Sequence, residues 1–129
     1  MGLKSRIKGK VCEREAVHLL RSLGFTDAQR AQQYSGNAGH ADIVCPESLP
    51  GVFIECKAVK DWSVGCKAID DALMLAGTQA GDRVPVVLWR EHRKGWRLYM
   101  FYKDLHVTVS GYGIEPALKW AQATAQEVA

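Results

Sequence analysis

The sequence is first informative through what it lacks. No apolar run is longer than a strand: the longest, such as Val84 to Trp89, fall far short of the ~20 residues of a bilayer-spanning helix. The first residues are basic but carry no apolar signal core, so nothing in them reads as a secretion signal. The cysteines, Cys12, Cys45, Cys56 and Cys66, form no CxxC pair and no His/Cys ligand spacing, which argues against a structural zinc site. They fall at helix- and strand-like positions, where a reduced cysteine acts as a small buried apolar residue, and an intracellular protein is expected. There is no repeat, low-complexity tract or linker. At 129 residues the chain is expected to form one domain, 1–129, around one core.

Charge of one sign is also scarce, at a net +3. Its distribution says more. Residues 1–34 hold Lys4, Arg6, Lys8, Lys10, Arg14, Arg21 and Arg30 against Glu13, Glu15 and Asp27, so the first quarter carries the whole excess. Such asymmetry fits a polyanion footprint, and it fits equally a solvated helix face with a basic end.

Residues 4–23 have helical periodicity, with Cys12, Ala16, Leu19, Leu20 and Leu23 on one face and Gly24 as a stop. Glu13 and Glu15 lie at opposite margins of that stripe, and Arg14 points away. A short strand is expected within 27–34, followed by the loop "SGNAG". Ile43–Cys45 begins a strand, "PESLPG" is a turn, and Val52–Ala58 is a second strand. The pattern predicts a helix over 67–80, strands over 84–89 and 96–102, and a terminal helix over 114–128. This order predicts an α/β fold with a central mixed sheet flanked by helices.

The charges inside the strand pair stand out. If Cys45 faces Val52 across the turn, Asp42 faces Glu55, and alternation places Lys57 on the face of Glu55. A slip of one residue would send these side chains to opposite faces. Two facing carboxylates repel unless a cation lies between them, and oxygen ligands without sulfur or imidazole suit Mg²⁺ or Mn²⁺. A lysine beside such an ion could orient a water for attack on a phosphodiester. The same spacing also occurs on exposed strand faces, where Lys57 would bridge two acids to little effect.

The segments "KGKVCEREAVHLLRSLGF", "RAQQYSG", "ADIV" and "IECK", in that order, resemble the archaeal-type and phage-encoded Holliday junction resolvases of the PD-(D/E)XK nuclease superfamily. The likeness continues more loosely through "VPVVLWREHRKGWRLYMF" and covers about three quarters of the chain. It implies a restriction-endonuclease-like fold, a homodimer without membrane association, and a Mg²⁺-dependent endonuclease, with Mn²⁺ as substitute, acting on four-way DNA junctions. The implied location is cytoplasmic, in the host cytoplasm for phage-encoded members. By the same likeness Asp42 and Glu55 are metal ligands, Glu13 completes the acidic site and Lys57 is the catalytic lysine. Arg14 and Arg30 match basic residues used near the DNA backbone, and Ser35 a loop serine near the scissile phosphate. Lys8 and Lys10 join them as the basic end of the expected DNA footprint.

Three features depart from the family pattern. Ala41, preceded by His40, stands where proline usually precedes the aspartate. Asp70 and Asp71 stand early in the helix after the lysine, where phage relatives place glutamine. The tail beyond Tyr102 has no counterpart and was a candidate dimer contact. Trp62 is read as a loop residue free to wedge at a junction or to bury at a subunit contact. "REHRK", 90–94, is either a DNA-facing or a solvated turn. Readings that compete with junction resolution are a flap or nonspecific duplex nuclease of the same superfamily, and a DNA-binding module that has lost catalysis.

Overall fold

The computed structural model describes residues 3–36, 38–92 and 94–128, with the side chains of 3–8, 64 and 126–128 outside the description. Helix α1, Leu3–Ser22, buries Cys12, Ala16, Val17 and Leu20. It ends where the sequence places its stop. Gly24 takes φ +103°, the Phe25 amide donates to the Leu20 carbonyl at 3.0 Å and the Gly24 amide to Arg21 at 3.1 Å. This satisfies two end carbonyls and turns buried Phe25 back into the core.

Two strands of two residues follow, β1, Gln29–Arg30, and β2, Ile43–Val44, then the longer β3, Val52–Val59. Helix α2, Trp62–Gln79, crosses to β4, Val84–Glu91, which runs parallel to β3. Strands β5, Arg97–Tyr102, and β6, Leu105–Ser110, return antiparallel, and α3, Ile114–Val128, closes the chain. The six strands form one mixed sheet in the order β1-β2-β3-β4-β5-β6. Among the described residues no helix is long and apolar enough to cross a membrane.

Alternation along β3 sorts its side chains onto two sides. Val52, Ile54 and Cys56 join the core beneath α1 and α3, together with Ile114, Leu118 and Ala121. Phe53 packs under Ala76 and Ala80 of α2, and Val59 under the cluster of Ile69, Leu73 and Trp89. The α/β class, the mixed sheet and its flanking helices are as expected from the sequence.

Four local expectations are corrected. The strand expected within 27–34 is reduced to Gln29–Arg30 and runs into a 3-10 turn, Ala31–Gln33. Helix α2 begins at Trp62, five residues earlier than expected, because Glu91 accepts the Trp62 amide at 3.1 Å and caps the helix. Trp62 is therefore not in a loop; its ring stacks on Trp89 with centroids 5.0 Å apart. Finally, residues 105–110, which carried no expectation of a strand, pair with β5.

Gly65 looked like a loop residue and is instead a point of close approach. A Cβ there would lie 2.5 Å from Cβ of Val59, whereas Gly77 of the same helix faces open space. Alanine at the two positions is therefore expected to act with opposite sign in thermal or denaturant unfolding. Gly65→Ala overpacks the α2–β3 contact and costs about 1–3 kcal/mol, outweighing the ~1 kcal/mol helix preference of alanine. Gly77→Ala stabilises by about 0.5–1 kcal/mol.

Candidate active site

The short β2 determines the geometry. Its pairing with β3 places Ile43 opposite Ile54, so position 42 falls opposite position 55, as the assumed hairpin register required. Immediately beyond Ile43 the regular ladder stops. The Asp42 amide still donates to the Ile54 carbonyl at 3.0 Å, but the Asp42 carboxylate itself accepts the Cys56 amide at 2.9 Å. A side chain thus replaces backbone at the strand end and pins the carboxylate beside β3.

Glu55 meets it there. The Glu55 carboxyl is hydrogen-bonded to Asp42 and is pushed up to about 8, first by burial and then by the Asp42 charge and that hydrogen bond. Lys57, next along the same strand face and exposed, opposes the rise, and Glu13 adds to it. Burial and a neighbouring like charge thus favour the protonated form of Glu55 when nothing positive separates the two carboxyls.

Glu13 reaches the site from α1. Burial raises its carboxyl first, the Asp42 charge second, and Arg30 and Lys10 act against the rise. Arg30 is 6% exposed; its Nε donates to Glu13 Oε1 at 3.3 Å and its Nη2 to Gln32 Oε1 at 3.0 Å. Glu13 and Glu15, equivalent on the helix projection, are separated by these partners, since Glu15 forms its ion pair with Arg90 of β4. Glu13 and Asp42 line one cleft of about 450 Å³ with His40, Gln32 and Gly36.

Among the described residues no three His, Cys, Asp or Glu side chains form a group that could hold a metal ion. The donor set nevertheless fits a hard divalent ion. Mg²⁺ is commonly held by one or two carboxylates plus waters. Asp42 and Glu55 are the residues that would hold it.

The remaining site candidates are dispersed around this centre. Lys10, Arg14 and Ser35 are exposed, Ser35 in the loop that also supplies Gly36 to the cleft. Arg30 is buried against Glu13, so it is placed to hold that carboxylate rather than to lie open to a phosphate. Lys8 lies on α1 with its side chain outside the described residues. The expected turn "REHRK" is corrected in part: Arg90 and Glu91 belong to β4, Glu91 is buried, and Arg93 lies outside the described residues. Two participants had no sequence signal: the Cys56 amide, a backbone group, and Gln32, which steadies Arg30. Asp70, one of the pair flagged after the lysine, binds the Tyr99 hydroxyl at 2.9 Å, and Asp71 pairs with Lys67, so both are engaged elsewhere.

No protein-family model, no curated protein and no solved structure matches this chain.

The raised Glu55 carboxyl sets an expected pH dependence. Its folded value lies above the unfolded one, so its contribution is full below about 4.5 and is lost as pH rises through about 8. In chelator-treated protein, Tm is expected to fall across that window, and Glu55→Gln should flatten the decline. At pH 8, millimolar Mg²⁺ or Mn²⁺ should raise Tm in the wild type by mass action, and Asp42→Asn should abolish the rise. Thermal shift measured over pH, with and without metal, checks both.

Proposed function

We propose that the chain is a metal-dependent endodeoxyribonuclease with a restriction-endonuclease-like fold, resolving four-way DNA junctions by phosphodiester hydrolysis. The observation that carries this reading is the meeting of Asp42 and Glu55 from neighbouring strands, with Lys57 on the same strand face. The sequence resemblance supplies the substrate class.

Asp42 and Glu55 would hold the divalent ion, which when bound would neutralise charge on the phosphate oxygens and make a nearby water more acidic. Asp42 is oriented by the Cys56 amide, so its carboxylate is fixed before substrate arrives. Glu13, clamped by Arg30, adds a third negative charge across the cleft. The Lys57 ammonium, exposed beside Glu55, steadies the attacking water and the charge that grows on the phosphorus centre. Lys10 and Arg14 on the outer face of α1, with Lys8, and Ser35 in the loop, take up the strand by its phosphates. Reading phosphates and branched shape rather than base edges suits a junction, and a homodimer would present two such sites to opposed strands.

The test is single-turnover cleavage of a four-way junction, a flap and a linear duplex in Mg²⁺ and in Mn²⁺. The junction is expected to be cut fastest. Asp42→Ala, Glu55→Ala and Lys57→Ala should each slow cleavage by about 10²–10⁴ while junction binding persists. Near wild-type cleavage by all three variants overturns the assignment. A flap or duplex cut faster than the junction moves the substrate, and binding without cleavage in either metal marks an inactive module. Lys10→Ala and Arg14→Ala should weaken binding to every DNA alike, each reducing the salt dependence by about one counterion.

A further inference from the structure

Two of the four cysteines meet directly beneath the candidate site. Cys12 of α1 and Cys56 of β3 bring their sulfurs to 2.8 Å, both thiols are free, and both lie in the core. Each adjoins site residues in the chain: Cys12 precedes Glu13, Cys56 lies between Glu55 and Lys57, and the Cys56 amide holds Asp42. The pair is not sealed on all sides. Cys12 borders an open cleft of about 540 Å³ lined also by Val11, Ala58, Val59, Lys60, Arg90 and His92. The other two thiols lack this arrangement: Cys45 is buried, and Cys66 is half-buried on α2.

We propose that Cys12 and Cys56 form a reversible dithiol–disulfide couple that clamps α1 to β3 and switches the site off, with Cys12 the thiol that meets the oxidant. The oxidant is a low-molecular-weight disulfide entering through the cleft. Cys12 sulfur attacks one sulfur of that disulfide, forming a mixed disulfide and releasing one small thiol. Cys56 sulfur then attacks Cys12 sulfur, forming the Cys12–Cys56 bond and expelling the second small thiol. Two protein thiols are oxidised, one small disulfide is reduced to two thiols, and the two protons pass to them.

The structural consequence follows from the distances. A disulfide requires about 2.05 Å between sulfurs, so closure takes the pair from 2.8 Å to a covalent tie between α1 and β3. The groups adjoining the tie are the helix turn carrying Glu13 and the amide that orients Asp42, and catalytic constellations tolerate only about 0.5 Å of movement. The effect on activity rests on the nuclease reading above; formation of the bond does not.

The experiment titrates folded, reduced protein with oxidised glutathione, then alkylates and maps it by mass spectrometry beside thermal shift and junction cleavage. Wild type is expected to lose two of its four thiols to one Cys12–Cys56 bond with a rise in Tm. Cleavage should fall tenfold or more and return with dithiothreitol. Cys56→Ser should retain a glutathione adduct on Cys12 without forming an internal bond, and Cys12→Ser should leave Cys56 unmodified and keep cleavage after oxidant. Absence of the bond in folded protein, or bonds through Cys45 or Cys66 instead, overturns the couple. Formation of the bond with cleavage unchanged overturns the switch. Reduced wild type that cuts no DNA refutes the nuclease reading instead, and the mass and Tm readouts then decide the couple alone.

Discussion

The pairing of Ile43 with Ile54 is the contact on which the centre of the molecule depends. It is one residue pair in a strand of two, yet it decides which side of the sheet receives Asp42. Shifted by one, the carboxylate would turn away from Glu55, and Ile43, wholly buried under α1, would leave the core. Burial of that isoleucine and convergence of the acids are therefore the same event. The fold tolerates repulsion between two carboxyls because the register producing it is held by apolar packing on the opposite face.

The electrostatic balance around the pair is graded. Burial and mutual repulsion keep Glu55 protonated near neutrality, while Lys57 pulls the other way without cancelling them. Glu13 is raised as well, but an almost fully buried guanidinium stands against it. The three acids thus differ in kind. Asp42 is anchored by a backbone amide, Glu55 is raised by burial and by the Asp42 charge, and Glu13 is paired with Arg30. Such division of roles among neighbouring carboxyls follows from environment alone, since their intrinsic acidities differ by less than a unit.

Much of this was legible from residue order. The 3.6-residue stripe of α1 with its terminal Gly24 and the division of β3 into Glu55/Lys57 and Ile54/Cys56 sides follow from periodicity and turn chemistry, whereas the β2–β3 register had to be assumed and is fixed by the pairing of Ile43 with Ile54. What escaped has nameable causes. The helix projection could not separate Glu13 from Glu15, because their distinction lies in Arg30 and Arg90, brought in by other elements. The start of α2 was hidden because Gly65 reads as a breaker, whereas tertiary contact with Val59 is what excludes a side chain there. Strand β6 was missed because its side chains are mostly exposed and its pairing with β5 is carried by backbone. The burial of Arg30, a charged residue in a basic segment, depended on a partner that only the folded chain provides.

The sheet order has a consequence for how the chain assembles. Every strand lies beside its predecessor in sequence, and only the β3–α2–β4 passage needs a crossover. Bringing positions 42 and 55 together therefore costs the entropy of closing one short loop, far less than joining the chain ends. Contacts of low sequence separation also form fastest. The acidic pair belongs to a hairpin able to form as soon as its own residues are available. Helix α3 is tied to the β2–β3 turn through Gln122, which accepts the Gly51 amide at 2.6 Å, a contact of much larger sequence separation. The acidic pair thus sits in a locally closed part of the topology, with α1 and α3 packed on the core beside it.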